Sequence, residues 1–313
     1  MGEACPELFA LHYSLFTKFI RNVLMQFVVM DLEWNNAYSK KANGYINEII
    51  EIGAVKLDSD LENVDTFSCI IRSQIGKKLR GSVKRLTHLT NDDISSGVPF
   101  TKAFSVFRKW IGNEETVIFT WGDGDIRVLL ENFKYLNGIK VIPFLDKYCD
   151  LQRVFQRLFN CSKGQQTGLL TAAQMLEIDP EMYIHHRALG DSMLTADILK
   201  KIMPEGELFP EVVDCGEEFY SKLLYKAKVI RNIDNPLVDK KRLCHVCETC
   251  GTACDQLTAW KFHCQFFRAN FHCPECGLDY SVGVRFKKLF DQVEFRKIVS
   301  VIEPNVSAEE ESE

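Results

Sequence analysis

The run FVVMDLEWN, residues 27–35, ends a stretch suited to a buried strand with two carboxylates two positions apart. Side chains alternate faces along a strand, so Asp31 and Glu33 point the same way, about 7 Å apart along the chain. They repel unless something positive lies between them. Asp125 follows the strand-like TVIFTW across the glycine-rich turn GDGD and opens the amphipathic segment DIRVLLENFKYL. Asp191 starts a later helical segment, and His186 precedes it by five positions in HHRALGD. Four carboxylates, with no equally close Lys or Arg expected among these motifs, would be costly to gather unless divalent cations neutralised them. Oxygen-only ligands select hard ions such as Mg²⁺ or Mn²⁺. Two such ions roughly 3.5–4 Å apart stabilise both the attacking and the leaving oxygen at phosphorus. His186, with an ordinary pKa near 6.5, could take the proton from the attacking water.

To gather these groups, the strands ending at Asp31 and before Asp125 must be neighbours, with the helix near 190 adding Asp191. Apolar runs bounded by turn residues predict strands at 26–31, 48–57, 67–72 and 116–121, and a fifth near 140–145. Helical periodicity covers 101–111, 125–136, 150–159, 167–177 and 190–203. Three strands followed by alternating helices and strands suit an α/β sandwich whose first three strands form a meander. Residues 205–230 read as one more helix and 231–241 as a linker. The expected organisation is an N-terminal extension at 1–24, a main domain at 25–205, a helix and linker at 206–242, a cysteine-rich module at 243–300 and an acidic, disordered tail at 301–313.

Seven of the twelve cysteines fall between 244 and 276. The other five are scattered, a distribution that argues for metal binding in a reducing compartment rather than a disulfide framework. CETCG (247–251) and CPECG (273–277) each present two thiols followed by a glycine that can take the left-handed conformation. Four thiolates favour one tetrahedral, structural Zn²⁺, so Cys247, Cys250, Cys273 and Cys276 are the expected ligands of a zinc-ribbon hairpin. CHVC (244–247) offers another register, and Cys254, Cys264, His263 and His272 are alternative ligands or hairpin core. Residues 221–300 carry 14 Lys+Arg against 8 Asp+Glu, in a chain of net charge −5. That basic module, with WKFHCQFFRANFHC at its centre, fits nucleic-acid contact, with protein docking as the rival. Residues 1–24 lack the marks of a signal peptide, and no stretch reaches the roughly 18 apolar residues that span a bilayer, so a cytoplasmic location without membrane attachment is expected.

Taken together, VVMDLEWN, EIIEIGAVKL, LTHLTNDDI, VPFTKAFSVFRKWI, FTWGDGDIRVL and HHRALGDSMLTADIL resemble the DEDDh group of 3′-to-5′ exonucleases, over about residues 25–203. This is the superfamily of polymerase proofreading domains and RNase T, and the blocks look most like its histone-mRNA-exonuclease-like branch. The resemblance implies an RNase H-like mixed five-stranded sheet flanked by helices. It also implies two Mg²⁺ or Mn²⁺ ions: Asp31 would touch both, Glu33 and Asp191 would hold one, and Asp125 the other. His186 would be the general base, rather than His185, and Asp125 rather than Asp123 the third acid. Leu32, Trp34, His88 and Leu89 fall where the 3′-terminal nucleotide would lie. Two of these positions depart from the family: Trp34 stands where a small residue is common, and His88 where glycine is common in L-T-G-I-T. Trp34 could stack on a base or pack in the core.

The function expected is hydrolysis of a single-stranded RNA or DNA 3′ end, RNA favoured by the subfamily resemblance, releasing nucleoside 5′-monophosphates. The zinc ribbon would hold the substrate or a ribonucleoprotein partner. The alternative is a non-catalytic scaffold or regulator that docks partners through the ribbon, and a third reading is another RNase H-like activity such as an endonuclease.

Overall fold

In the computed structural model, residues 25–161, 166–203 and 211–303 are described. The extension at 1–24, and all of the acidic tail beyond 303, lie outside them. β1 (Met25–Ser39) is apolar at consecutive positions because it is central: β2 (Gly44–Leu57) runs antiparallel on one side and β4 (Glu115–Thr120) parallel on the other. Its alternate side chains feed two cores. Val28, Met30 and Leu32 pack with Phe104, Phe107, Ile126 and Leu129, whereas Phe27 and Val29 pack with Phe155, Leu194 and Ile198.

In chain order the remaining strands and α-helices described in this unit are β3 (Asn63–Ile70), α1 (Gly81–Thr87), α2 (Asn91–Ser96), α3 (Phe100–Ile111), α4 (Gly124–Asn132), β5 (Lys147–Asp150), α5 (Leu151–Leu158), α6 (Leu169–Met175), α7 (Ala188–Ile202), β6 (Val213–Asp214) and α8 (Glu217–Leu224). The sheet order is β3-β2-β1-β4-β5-β6, with β4 and β5 parallel to β1. The first three strands form the expected meander, and the fold is the RNase H-like α/β sandwich. A two-residue β6, antiparallel to β5, adds a sixth strand to the five expected. The fifth strand also lies later than 140–145. Ile142, Phe144 and Leu145 are buried as a turn packed into the first core, which explains their apolar pattern without a ladder. Of the single helix expected at 205–230, residues 205–210 lie outside the described residues, and the described part is instead β6, α8 and then β7 (Lys228–Val229).

The chain divides into two compact units after Leu223. Residues 231–241, expected as a linker, belong to the second unit, where Val238 is buried in the core and the Ile230 N–H donates to the Phe286 carbonyl at 2.9 Å. Its strands β8 (Asp255–Gln256), β9 (Lys261–His263), β10 (Phe266–His272), β11 (Asp279–Lys288) and β12 (Val293–Val301) pair antiparallel. One face carries Phe267, Phe271, Tyr280, Val282, Val284 and Phe286 into the core of the unit.

Candidate active site

Asp31 and Glu33 lie on the α7 side of β1, at the end where β4 stops pairing with it. What brings Asp191 to them is a glycine on the next strand. Gly53 is the ladder partner of Asp31, and a Cβ there would stand 2.1 Å from the backbone of Ala188 and Leu189. The first turn of α7 therefore rests on the bare backbone of β2, and the Ser192 hydroxyl donates to the Gly53 carbonyl at 3.0 Å. A second glycine tightens the approach: a Cβ on Gly190 would stand 2.0 Å from the Ile184 carbonyl oxygen. With α7 so seated, one carboxylate oxygen each from Asp31, Glu33 and Asp191 lies within 4.8 Å of the others.

Asp125 arrives from the opposite core. It sits in the first turn of α4, is buried, and accepts the Leu32 N–H at 3.0 Å, which fastens it to the backbone between Asp31 and Glu33. Asp123, the rival in GDGD, is half-exposed and ion-paired to Arg127 at 2.7 Å.

The electrostatics follow from this crowding. Burial, then Asp191, Glu51 and Asp125, push the Glu33 carboxyl up to about 8, and Arg187 pulls the other way. Burial raises Asp125 to about 7 against the lowering effect of the Leu32 N–H. Asp31 is raised well above the carboxylate range by burial and by all its acidic neighbours, and Asp191 is raised by burial and lowered by His186 and His185. Carboxyls that resist ionising together form a donor set suited to a hard divalent cation, which would replace the protons.

Two residues at the site, Arg187 and Glu51, were not foreseen from sequence patterns. Arg187, inside HHRALGD, corrects the expectation that no base accompanies the acids: it binds the buried Glu51 through Nε at 3.0 Å and Nη2 at 2.7 Å. Glu51 is the ladder partner of Glu33, and its place in the apolar run EIIEIGAVKL was the available signal. His185, weighed against His186 in the sequence, also lies at the site. Its Nδ1 lies 3.8 Å from Asp191 Oδ1, and neither ring nitrogen has a hydrogen-bond partner. His186 is exposed, with a left-handed φ of 56°.

The expected substrate-side residues divide. Leu32 and Leu89 are buried, 3% and 5% exposed, so only their backbone could face a ligand. Trp34 is half-buried against the first core, 4.0 Å from where a Gly124 Cβ would be. His88 is exposed and ends α1 with φ 59°, a left-handed cap conformation that glycine adopts with less strain.

In the second unit, Cys247, Cys250, Cys273 and Cys276 bring their sulfurs within 4.8 Å of one another. Gly251 and Gly277, at φ 76° and 68°, close the two turns by donating to the Cys247 and Cys273 carbonyls. Exposed Cys244 is outside the cluster, as are Cys254, Cys264 and His263, and His272 is held by Asp279 at 2.7 Å.

Residues 28–199 match the family model for RNase_T, described as exonuclease. The chain belongs to this exonuclease family. It is a 3′-to-5′ exonuclease by class, similar at 30% identity over 185 residues to the probable 3′-5′ exonuclease KapD of Bacillus subtilis, covering 59% of this chain and 87% of that one. It is also similar at 24% identity to 3′-5′ exoribonuclease 1 of Rattus norvegicus, over 52% of this chain and 48% of the relative's length. Among solved structures, the nuclease domain of 3′hExo, a DEDDh family member bound to rAMP, superposes with a TM-score of 0.52 at 23% identity, over 59% of this chain and 94% of that one. That likeness supports the fold. No helix among the described residues is long and apolar enough to cross a membrane.

Proposed function

We propose that the chain hydrolyses the terminal phosphodiester of a single-stranded 3′ end, RNA in preference to DNA, and releases nucleoside 5′-monophosphates. The observation that carries this is the convergence of Asp31, Glu33 and Asp191 within 4.8 Å, with Asp125 fastened to the backbone between the first two. These residues would hold two Mg²⁺ or Mn²⁺ ions, which when bound would neutralise the carboxylates and polarise the phosphodiester. The chain's own part is to fix that set: Gly53 seats α7, the Leu32 N–H orients Asp125, and Glu51 anchors Arg187 beside His186. His186, exposed at the mouth of this loop, is the proposed base that takes the proton of the attacking water. The RNA preference rests on the exoribonuclease among the relatives.

The four-cysteine cluster fits one structural Zn²⁺, since it offers four thiols and no open position. The decisive experiment presents single-stranded RNA and DNA, labelled at either end, with Mg²⁺ or Mn²⁺. Stepwise shortening from the 3′ end, lost in Asp31→Ala and His186→Ala, is expected. No cleavage under either ion would favour the non-catalytic scaffold, and internal cuts an endonuclease.

A further inference from the structure

β10 presents Phe267, Ala269 and Phe271 to the core of the second unit and turns Phe266, Arg268 and Asn270 to the other side of the sheet. On that outer side the ladder sets Arg268 opposite Gly283, and Gly283 opposite Ile298. Gly283 is the flat spot that lets its neighbours lie down: a Cβ there would stand 2.7 Å from Ile298 and 3.5 Å from the Phe266 ring. Phe266, Gly283 and Ile298 thus form a small apolar floor.

Cations rim this floor. The Arg285 and Arg268 guanidiniums lie 5.4 and 5.8 Å from the centre of the Phe266 ring. Arg296 is the ladder partner of Arg285, and Lys261 of Arg268, so like charges stand directly across from each other twice. Such pairs destabilise a sheet, so the fold alone gives no reason for them. Of the acids on this face, Glu294 is engaged by Arg285 at 3.1 Å and Asp279 by His272 at 2.7 Å, and Asp255 is the ladder partner of His272. Lys261, Arg268, Lys287 and Arg296 have no ion-pair partner among the described residues, and Arg285 Nε is buried without a hydrogen-bond partner.

An aromatic floor edged by the unpaired guanidiniums of Arg268 and Arg296 matches a ligand that alternates planar rings with phosphates. We propose that this sheet face docks single-stranded nucleic acid, with a base stacked on Phe266 and the flanking phosphates held by Arg268 and Arg296. The choice of ligand rests on the function proposed above, but docking needs no catalysis.

The test uses the full chain carrying Asp31→Asn, so that bound strands persist. It is titrated with a labelled single-stranded oligonucleotide, an abasic strand of the same length, and poly-glutamate as a stand-in for an acidic protein partner. Phe266→Ala is expected to weaken oligonucleotide binding about tenfold, and Phe266→Trp to preserve it. The abasic strand should bind more weakly and ignore Phe266→Ala. Arg268→Gln with Arg296→Gln should lower the salt slope of log affinity by about 1.4, roughly 0.7 per phosphate contact. Thermal melting and zinc content check that each variant folds; should Phe266→Ala not fold, the arginine pair decides. Unchanged affinity and salt slope in the folded variants, or poly-glutamate competing as well as the strand, would overturn the proposal. The platform and the nuclease fail separately. If the unmodified chain degrades no strand while these variants lose binding, the exonuclease reading falls and the platform stands. If it degrades strands while the variants bind unaltered, the exonuclease stands and the platform falls.

Discussion

Glu51, 1% exposed in the middle of β2, receives Arg187 through two guanidinium nitrogens and stands directly across the ladder from Glu33. One ion pair therefore joins the strand pair carrying two of the acids to the residue between His186 and the first turn of α7. Arg187 offsets charge at Glu33 and fixes where the His186 loop ends.

Removing the arginine leaves a buried carboxylate unpaired. Arg187→Ala should destabilise the first unit by about 2 kcal/mol, below the roughly 3–5 kcal/mol of a fully buried pair because the guanidinium is partly exposed. The double variant Glu51→Gln, Arg187→Met should cost less than Arg187→Ala. Urea midpoints measure both, and an Arg187→Ala midpoint equal to the parent's would refute the coupling.

The raised carboxyls make stability depend on pH in a definite direction. Glu33 at about 8 and Asp125 at about 7 sit above their ordinary values, so the folded protein holds protons that the unfolded chain has released. Their protonated form contributes stability that is complete below about pH 4 and lost as pH rises through 7 and 8. Without added Mg²⁺ or Mn²⁺, the melting temperature of the first unit should fall between about pH 5 and 8.5 through these groups. Millimolar Mg²⁺ should flatten that fall, since the ion takes the protons' place. A melting temperature that rises with pH in the metal-free protein contradicts the crowding.

Gly53 tests the seating of α7. In Gly53→Ala the new methyl meets the Ala188 backbone at 2.1 Å, so the helix must move. Overpacking of this kind costs about 1–3 kcal/mol, and Asp191 should withdraw from Asp31 with at least a tenfold loss of turnover. Calorimetry and steady-state kinetics on the same preparation separate the two effects. Full activity at reduced stability would mean that the acid cluster tolerates a displaced helix.

In the second unit, Cys250 is the exposed member of the four-thiol set. Cys250→Ser should lower bound zinc from one per chain to well below one, measured by elemental analysis, and make residues beyond 224 protease-sensitive. Retention of a full zinc equivalent would move the site to another ligand set.

The amino-acid sequence by itself determined the residue types of the site and their local settings. The D-x-E pair on an apolar strand, the acid opening an amphipathic helix, the histidine five positions before Asp191 and the two Cys-x-x-Cys-Gly turns are short-range patterns, legible because strand alternation and helix periodicity act over a few residues. Tertiary structure decided what those patterns meet. Parallel pairing of β1 with β4 and the close approach of α7 to Gly53 depend on backbone packing between segments more than 80 and 130 residues apart, respectively, which no local period encodes. For the same reason Arg187 looked unattached until Glu51 was found beneath it, the turn at 140–145 passed for a strand, and the floor under Phe266 emerged only from the register of three strands.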